Sequence, residues 1–322
     1  MSAHTMKTQT QIGLGVKKKV KTKGITAQIF KYKFLYLLLL PAVVWTVLFC
    51  YLPIYGISVA FVDYNLAKGL SGSTWNNFSY FKQLFGTEMF VNALKNTVVI
   101  SIYKMFSGFL APIILAVFLN EIKNVVYQRT IQTVIYLPRF VSWVVYAGLV
   151  TVLLSPETGM VNGFIKLFGG NPLYFLGEPR YFRTVLVVTD MLKEAGWGAI
   201  IYIAAIAGID QQLYDAATMD GANKLQKILS ITLPSIMNTI LVMLILRMGS
   251  VLRAGLDQVI NLYNPVTLGV GDILDTYVYR IGVENLNFGI ATAAGLFQSV
   301  IGFLLVLICN AATNKLNDTG IM

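Results

Sequence analysis

The sequence predicts an all-α membrane protein of about six transmembrane helices, with a short helical segment on the cytoplasmic side between the fourth and fifth spans. Three observations predict it. Of the 322 residues, 56% are hydrophobic and 12% are charged, about half the charged fraction of an ordinary soluble domain. Several apolar runs reach the ~20 residues that a helix needs to cross a bilayer. Eight of the 25 lysines and arginines lie in the first 33 residues, just ahead of the first apolar run, where basic clusters mark the cytoplasmic face.

The same composition excludes other classes. The formal charge is +10, but no aromatic residue interleaves with the lysines of residues 17–23, so the basic tail reads as membrane-facing and not as a nucleic-acid footprint. His4 is the single histidine, which argues against histidine-based catalysis. Cys50 and Cys309 fall in apolar runs and imply neither a disulfide framework nor a metal site. No catalytic residue and no metal ligand set is expected.

The first span is 34–61, with Pro41 and Pro53 as expected kinks. It exceeds the apolar length of a signal peptide and no small-x-small cleavage site follows, so it is expected to stay as a membrane helix. The second is 97–120 and the third 130–154. With the N-terminus inside, thirteen basic residues lie on inner segments and eight on the outer loops 62–96, 155–183 and 253–288. The first cluster dominates orientation, and both termini are expected in the cytoplasm. The expected organisation is a basic tail over 1–33, a transmembrane domain over 34–312 and a cytoplasmic tail over 313–322. Residues 71–81 and 169–182 mix turn formers with aromatics, and read either as interfacial anchors or as a docking surface for an external partner.

The fourth span, 184–209, contains Asp190, Lys193 and Glu194, followed by Trp197 and Tyr202. Spacings of three and four put the charges on one helical face, and charges inside a membrane are costly unless used. Carboxylates and amines beside aromatic faces suit a carbohydrate path. The competing reading is an Asp190–Lys193 pair that neutralises itself, with Trp197 as packing. Arg247 in the fifth span, with Arg253 and Asp257 near its outer end, forms a second candidate set, to which an acidic sugar would give a purpose. Lys104 could instead face a partner chain.

Between the fourth and fifth spans, residues 210–233 read as two short helices at the inner surface. Asp210 can cap a helix from Gln211, and Gly221 can supply the positive φ that ends it. A second helix is expected from about 223 to 230, and Pro234 suits the first turn of the fifth span, 234–252. Ala216 and Ala217 give the first helix a low, narrow face. In the sixth span, 289–312, Ala291, Gly295, Ser299 and Gly302 form a small face for close helix packing.

Asp215-Ala216-Ala217, three residues, Gly221, nine residues, Ile231, one residue and Leu233-Pro234 resemble the Glu-Ala-Ala-x3-Gly-x9-Ile-x-Leu-Pro signature loop of permease subunits of type I ABC importers. The one departure is Asp215 in place of glutamate, which keeps the charge. The resemblance extends along nearly the whole chain from about Lys33. Leu52-Pro53-Ile54-Tyr55-Gly56, Tyr136-Leu137-Pro138, Ser142-Trp143-Val144-Val145, Lys193 to Gly198 and Asp275 to Arg280 are similar to the branch serving alginate-, aldouronate- and rhamnogalacturonan-type oligosaccharides. The resemblance implies that 210–233 holds a coupling helix seated in an ATPase cleft, and an inner-membrane location. It also implies two ATPase subunits, a second homologous permease, an extracytoplasmic sugar-binding protein and an oligosaccharide substrate. No Gly-x4-Gly-Lys-Ser/Thr loop is present, so ATP and Mg are expected on the partners and no cofactor on this chain. An importer for another solute, such as an amino acid, and an intramembrane enzyme are the alternatives.

Overall fold

The computed structural model describes residues 31–65, 68–249 and 251–317, without the side chains of 312–317. Most of the expected basic tail and the last five residues, 318–322, lie outside the described residues. The chain falls into two units, Met1–Gly56 and Ile57–Met322. The described part of the first is the body of α1 (Lys33–Phe61), an apolar helix of 29 residues.

The second unit opens with two short strands, β1 (Val62–Asp63) and β2 (Thr74–Trp75), paired antiparallel with Val62 opposite Trp75. This is a small departure from the all-helical expectation. Then follow α2 (Ser79–Gly86), α3 (Glu88–Asn120), α4 (Val125–Phe140), α5 (Trp143–Leu153), α6 (Met160–Leu167) and α7 (Pro179–Ala207). The segment after α7 holds α8 (Gln211–Met219) and α9 (Lys224–Ser235), which leads into α10 (Met237–Met248). The last part is α11 (Leu256–Leu262), α12 (Leu268–Gly271), α13 (Leu274–Tyr279) and α14 (Phe288–Asn317).

Among the described residues α1, α3 and α14 are each long and apolar enough to cross a membrane, and three bent pairs, α4–α5, α7–α8 and α9–α10, raise the number to six. Two spans begin earlier than expected, α3 at Glu88 and α7 at Pro179. Their first two turns carry polar side chains (Asn92, Lys95, Arg180) that apolarity alone passes over. Pro179 stands in the first turn of α7, where its missing N–H costs nothing.

The third expected span, 130–154, is corrected to two helices meeting at 109°. α4 ends at Phe140, two residues past Pro138, and Val141 is extended. Ser142 then accepts the Val145 N–H at 3.3 Å and starts α5. A serine N-cap inside an apolar run is a start signal that hydropathy overrides. The fifth span is corrected as well. The helix expected to stop near Ser230 continues to Ser235 and bends by 61° into α10. Pro234 sits inside it, preceded by a wide π-helical turn at Ile228–Thr232, which accommodates a residue that cannot donate.

The bundle core is built on α3 and α7, which run along each other. Ile113, Ala116, Ala199, Tyr202, Ile206 and Ile240 pack α3, α7 and α10 together. Ile100, Ala147, Phe182, Leu186 and Val259 join α3, α5, α7 and α11. Residues 253–288, expected as an outer loop, hold three short helices, α11, α12 and α13. Their helices are buried, with Gln258, Val259, Ile273 and Leu274 at 0% exposure. Each helix is shorter than a hydropathy window, and the intervening Asn and Gly residues hide its apolar face. On α14 the small face divides in two: Gly302 lies close to the Gly249 backbone, whereas Gly295 faces open space.

Candidate functional site

A cavity of about 250 Å³ lies between α3, α7 and the end of α10, lined in part by Ser101, Lys104, Asp190, Glu194, Arg247 and Arg253. Lys104 organises it. A buried cation needs an anion and enough acceptors for its three protons. Its ammonium stands 3.3 Å from the Asp190 carboxylate and donates to the Ala254 carbonyl at 2.7 Å. It also contacts the Gln258 side-chain oxygen. The Gln258 amide donates to the Leu186 carbonyl at 2.8 Å and the Thr189 hydroxyl at 2.7 Å. One lysine therefore ties α3 to α7 and to the turn before α11. Lys104, read from sequence as facing a partner chain, is the partner of Asp190 within this chain.

The structure separates the other candidates. Lys193 does not pair with Asp190. It is 2% exposed, donates to the Pro138 carbonyl at 2.7 Å and contacts the Val141 carbonyl. Its ammonium lies 5.2 Å from the ring centroids of both Trp143 and Tyr146. Those carbonyls lie at the C-terminal end of α4, where Pro138 also takes the Val141 N–H at 3.3 Å, and a cation there adds a strong donor and complements the helix dipole. Glu194 accepts from Arg139 at 2.7 Å. Tyr202 is 3% exposed within the α3–α7–α10 core. Trp197 is 46% exposed and meets Phe140 edge-to-face at 5.9 Å. Arg247 donates to the Gly108 carbonyl at 2.9 Å and the Lys104 carbonyl at 3.1 Å. Asp190, Glu194 and Arg247 thus come together on the cavity wall, and Lys193, Trp197 and Tyr202 lie elsewhere.

The segment between α7 and α10 is a built element. The Asp210 carboxylate accepts the Gln212 N–H at 2.9 Å and starts α8. Gly221 has φ +78°. The Ala222 N–H reaches the Ala217 carbonyl at 2.9 Å and the Gly221 N–H reaches the Thr218 carbonyl at 3.1 Å, the paired bonds of a Schellman stop. Asn223 and Gln226 form a capping box that starts α9. Lys227 donates to Thr218 at 2.7 Å, and Tyr214 bonds Thr232 at 2.8 Å, so the two helices are locked together. Lys224 pairs with Glu121, just past α3, at 3.4 Å. Asp215 and Ala216 are exposed, and Ala217 and Ile231 are half-buried. Leu213 (49%), Met219 (87%) and Leu225 (64%) expose apolar side chains.

Sequence reasoning missed several polar anchors. Arg139 follows Pro138 directly, and a cation beside a proline in an apolar run could have marked the break. Gln258 and the Asp272–Arg280 ion pair (2.5 Å) lay in the supposed outer loop and gave no signal. Arg183 donates to the Val270 carbonyl at 3.1 Å and to Asn96 at 2.7 Å, pinning α12 to α3 and α7.

Residues 108–317 match the family model for the binding-protein-dependent transport system inner membrane component. The chain is 41% identical to protein LplB of Bacillus subtilis (strain 168) over 301 residues, 93% of this chain and 95% of that one. It is 40% identical to the polygalacturonan/rhamnogalacturonan transport system permease protein YteP of the same organism, across 94% of this chain and 95% of the relative. Among solved structures it is similar to a bacterial ABC transporter involved in the import of the acidic polysaccharide alginate. The TM-score is 0.85 at 38% identity, with 92% of this chain and 100% of that chain covered. A second structure of the bacterial alginate ABC transporter, in complex with an alginate pentasaccharide-bound periplasmic protein, matches with the same TM-score, 0.85, over 93% of this chain.

Proposed function

This chain belongs to the binding-protein-dependent transport system inner membrane components, and we propose that it forms half of the membrane channel of an ATP-driven oligosaccharide importer. It is a permease subunit and not an enzyme. In the proposed assembly a second, homologous permease completes the pathway, an extracytoplasmic sugar-binding protein delivers substrate, and two ATPase subunits bind ATP and Mg. Both termini face the cytoplasm of the inner membrane.

One observation carries this reading. α8 and α9, exposed and rich in unpartnered apolar side chains, join α7 to α10, and those two helices supply Asp190, Glu194 and Arg247 to the cavity. An exposed apolar patch of this kind marks a partner surface, and a slim helix fits a groove. The alanine face around Ala216 and Ala217 lets α8 lie deep in the ATPase. Asp210, Gly221 and the Lys227–Thr218 contact keep the pair stiff enough to carry its displacement. Ile231, Leu233 and Pro234 connect that displacement to α10. Closure of the ATPases then changes the spacing of α7 and α10, and with it the access of the cavity.

The oligosaccharide reading is supported by the rhamnogalacturonan-transport relative and the alginate-importer structures, and an amino-acid substrate is not favoured. It is tested in liposomes holding the complete complex and its binding protein. A labelled oligosaccharide is expected to accumulate only when ATP is present on the ATPase side. Uptake without ATP, or amino-acid uptake in its place, contradicts the reading.

A further inference from the structure

We infer that Arg253 is the residue that reads the charge of the transported sugar, by holding a carboxylate of an acidic oligosaccharide as it passes. The inference rests on the oligosaccharide reading above.

The carboxylates on the cavity wall are already matched. Asp190 is paired with Lys104 at 3.3 Å, and Glu194 with Arg139 at 2.7 Å. Neither remains to receive Arg253. Among the described residues Arg253 makes no hydrogen bond and no ion pair. The carboxylate within its electrostatic reach is Asp275, one oxygen of which takes the Gln298 amide at 2.9 Å, the other being buried without a hydrogen-bond partner among the described residues. Arg253 lines the cavity of about 250 Å³ and also a neighbouring one of about 410 Å³, together with Gly249, Asp275, Gly295, Gln298 and Ser299. A flexible cation is thus placed where two polar cavities meet. Gly295 adds no side chain to that cavity, and a Cβ on it would meet nothing within 4 Å.

A solvated surface arginine needs no anchorage, and this one has it. The next residue, Ala254, is 2% exposed and its carbonyl accepts from Lys104 at 2.7 Å. Gly255 then turns the chain at φ +98°, and a Cβ there would stand 3.1 Å from the Lys104 ammonium. Asp190, Lys104 and Gln258 therefore fix the backbone from which Arg253 projects. A guanidinium on a fixed base is the donor best matched to a carboxylate, since its planar fork makes two parallel hydrogen bonds. A neutral sugar offers hydroxyls, which gain less from the charge.

The test uses the complete complex in liposomes with its binding protein. The probes are a uronate pentasaccharide and its carboxyl-reduced counterpart of the same length. Arg253→Gln is expected to slow uronate import about tenfold, the loss of one charge-assisted hydrogen bond, and to leave import of the reduced sugar within about twofold. Arg253→Lys, which keeps the charge and loses the planar fork, is expected to fall between the wild type and Arg253→Gln for uronate, and Arg253→Glu to abolish its import. Equal losses for both sugars, or uronate import unchanged in Arg253→Glu, overturn the inference alone. So does loss of the assembled complex in Arg253→Gln, which assigns the arginine to a carboxylate of the second permease. Wild-type complex that imports neither sugar overturns the oligosaccharide reading, and this inference with it.

Discussion

Replacing Lys193 with methionine keeps an apolar stem of similar length and removes the ammonium that closes the break between α4 and α5. The Val141 carbonyl then loses its donor, and the Pro138 carbonyl is left with the Val141 N–H at 3.3 Å alone. A buried polar group without a partner costs about 1–3 kcal/mol. The two aromatic faces at 5.2 Å also lose a desolvated cation worth about 2 kcal/mol. Against this stands the relief of burying a charge, several kcal/mol for an ion taken from water. With one part-buried carbonyl without a donor and the cation gone from both rings, the expected net loss is about 2 kcal/mol. At about 2–4 °C per kcal/mol for a chain of this size, that is a fall of roughly 4–8 °C in Tm. The assay is thermal unfolding of the purified complex, read beside import of acidic and neutral sugars. Because Lys193 is not on the cavity wall, substrate preference is expected to stay unchanged. An unchanged Tm with altered preference refutes the reasoning and places Lys193 on the path.

Other substitutions probe the packing and the segment between α7 and α10. A Cβ on Gly196 would collide with the Ile135 carbonyl, so Gly196→Ala must push α4 away from α7 at a cost of about 1–3 kcal/mol. Its Tm is expected to fall, and a wild-type Tm contradicts the close approach. Gly221 has φ +78° and open space where a Cβ would stand, so only backbone conformation restricts it, by about 1–2 kcal/mol per ordinary residue. Gly221→Val should lose sugar-stimulated ATP hydrolysis, whereas Gly221→Asn, which tolerates the left-handed region, should keep most of it. Equal loss in both would show that bulk matters there and not conformation.

The sequence made local chemistry legible where single residues dictate backbone geometry. Asp210 as a cap and Gly221 as a positive-φ stop are both visible as residue types and both found in place. The long apolar runs also marked the helices that span. What stayed hidden depends on partners distant in sequence. Asp190 and Lys193 share a face by spacing, yet Asp190 pairs with Lys104, 86 positions earlier in the chain, and Lys193 turns to the end of another helix. Hydropathy averages also erase short features. The two-residue break at Val141–Ser142 vanishes inside an apolar window, and the buried helices between residues 253 and 288 are each too brief to register. Arg253 was visible as a cation, but that it has no hydrogen bond or ion pair among the described residues could be seen only once Asp190 and Glu194 were matched to others.

The central claim is that α8 and α9 pass ATPase motion to the cavity, and sugar-stimulated ATP hydrolysis in the reconstituted complex tests it most directly. Ala216→Arg places a long charged side chain on the exposed face of α8 without touching the membrane bundle, since Ala216 is exposed. A blocked anchor in a docking surface commonly costs about 2 kcal/mol or more. Stimulated hydrolysis is therefore expected to fall by at least about tenfold, with the Tm of the isolated permease unchanged. Wild-type stimulation in Ala216→Arg, with the variant present in the complex at full amount, would contradict the account.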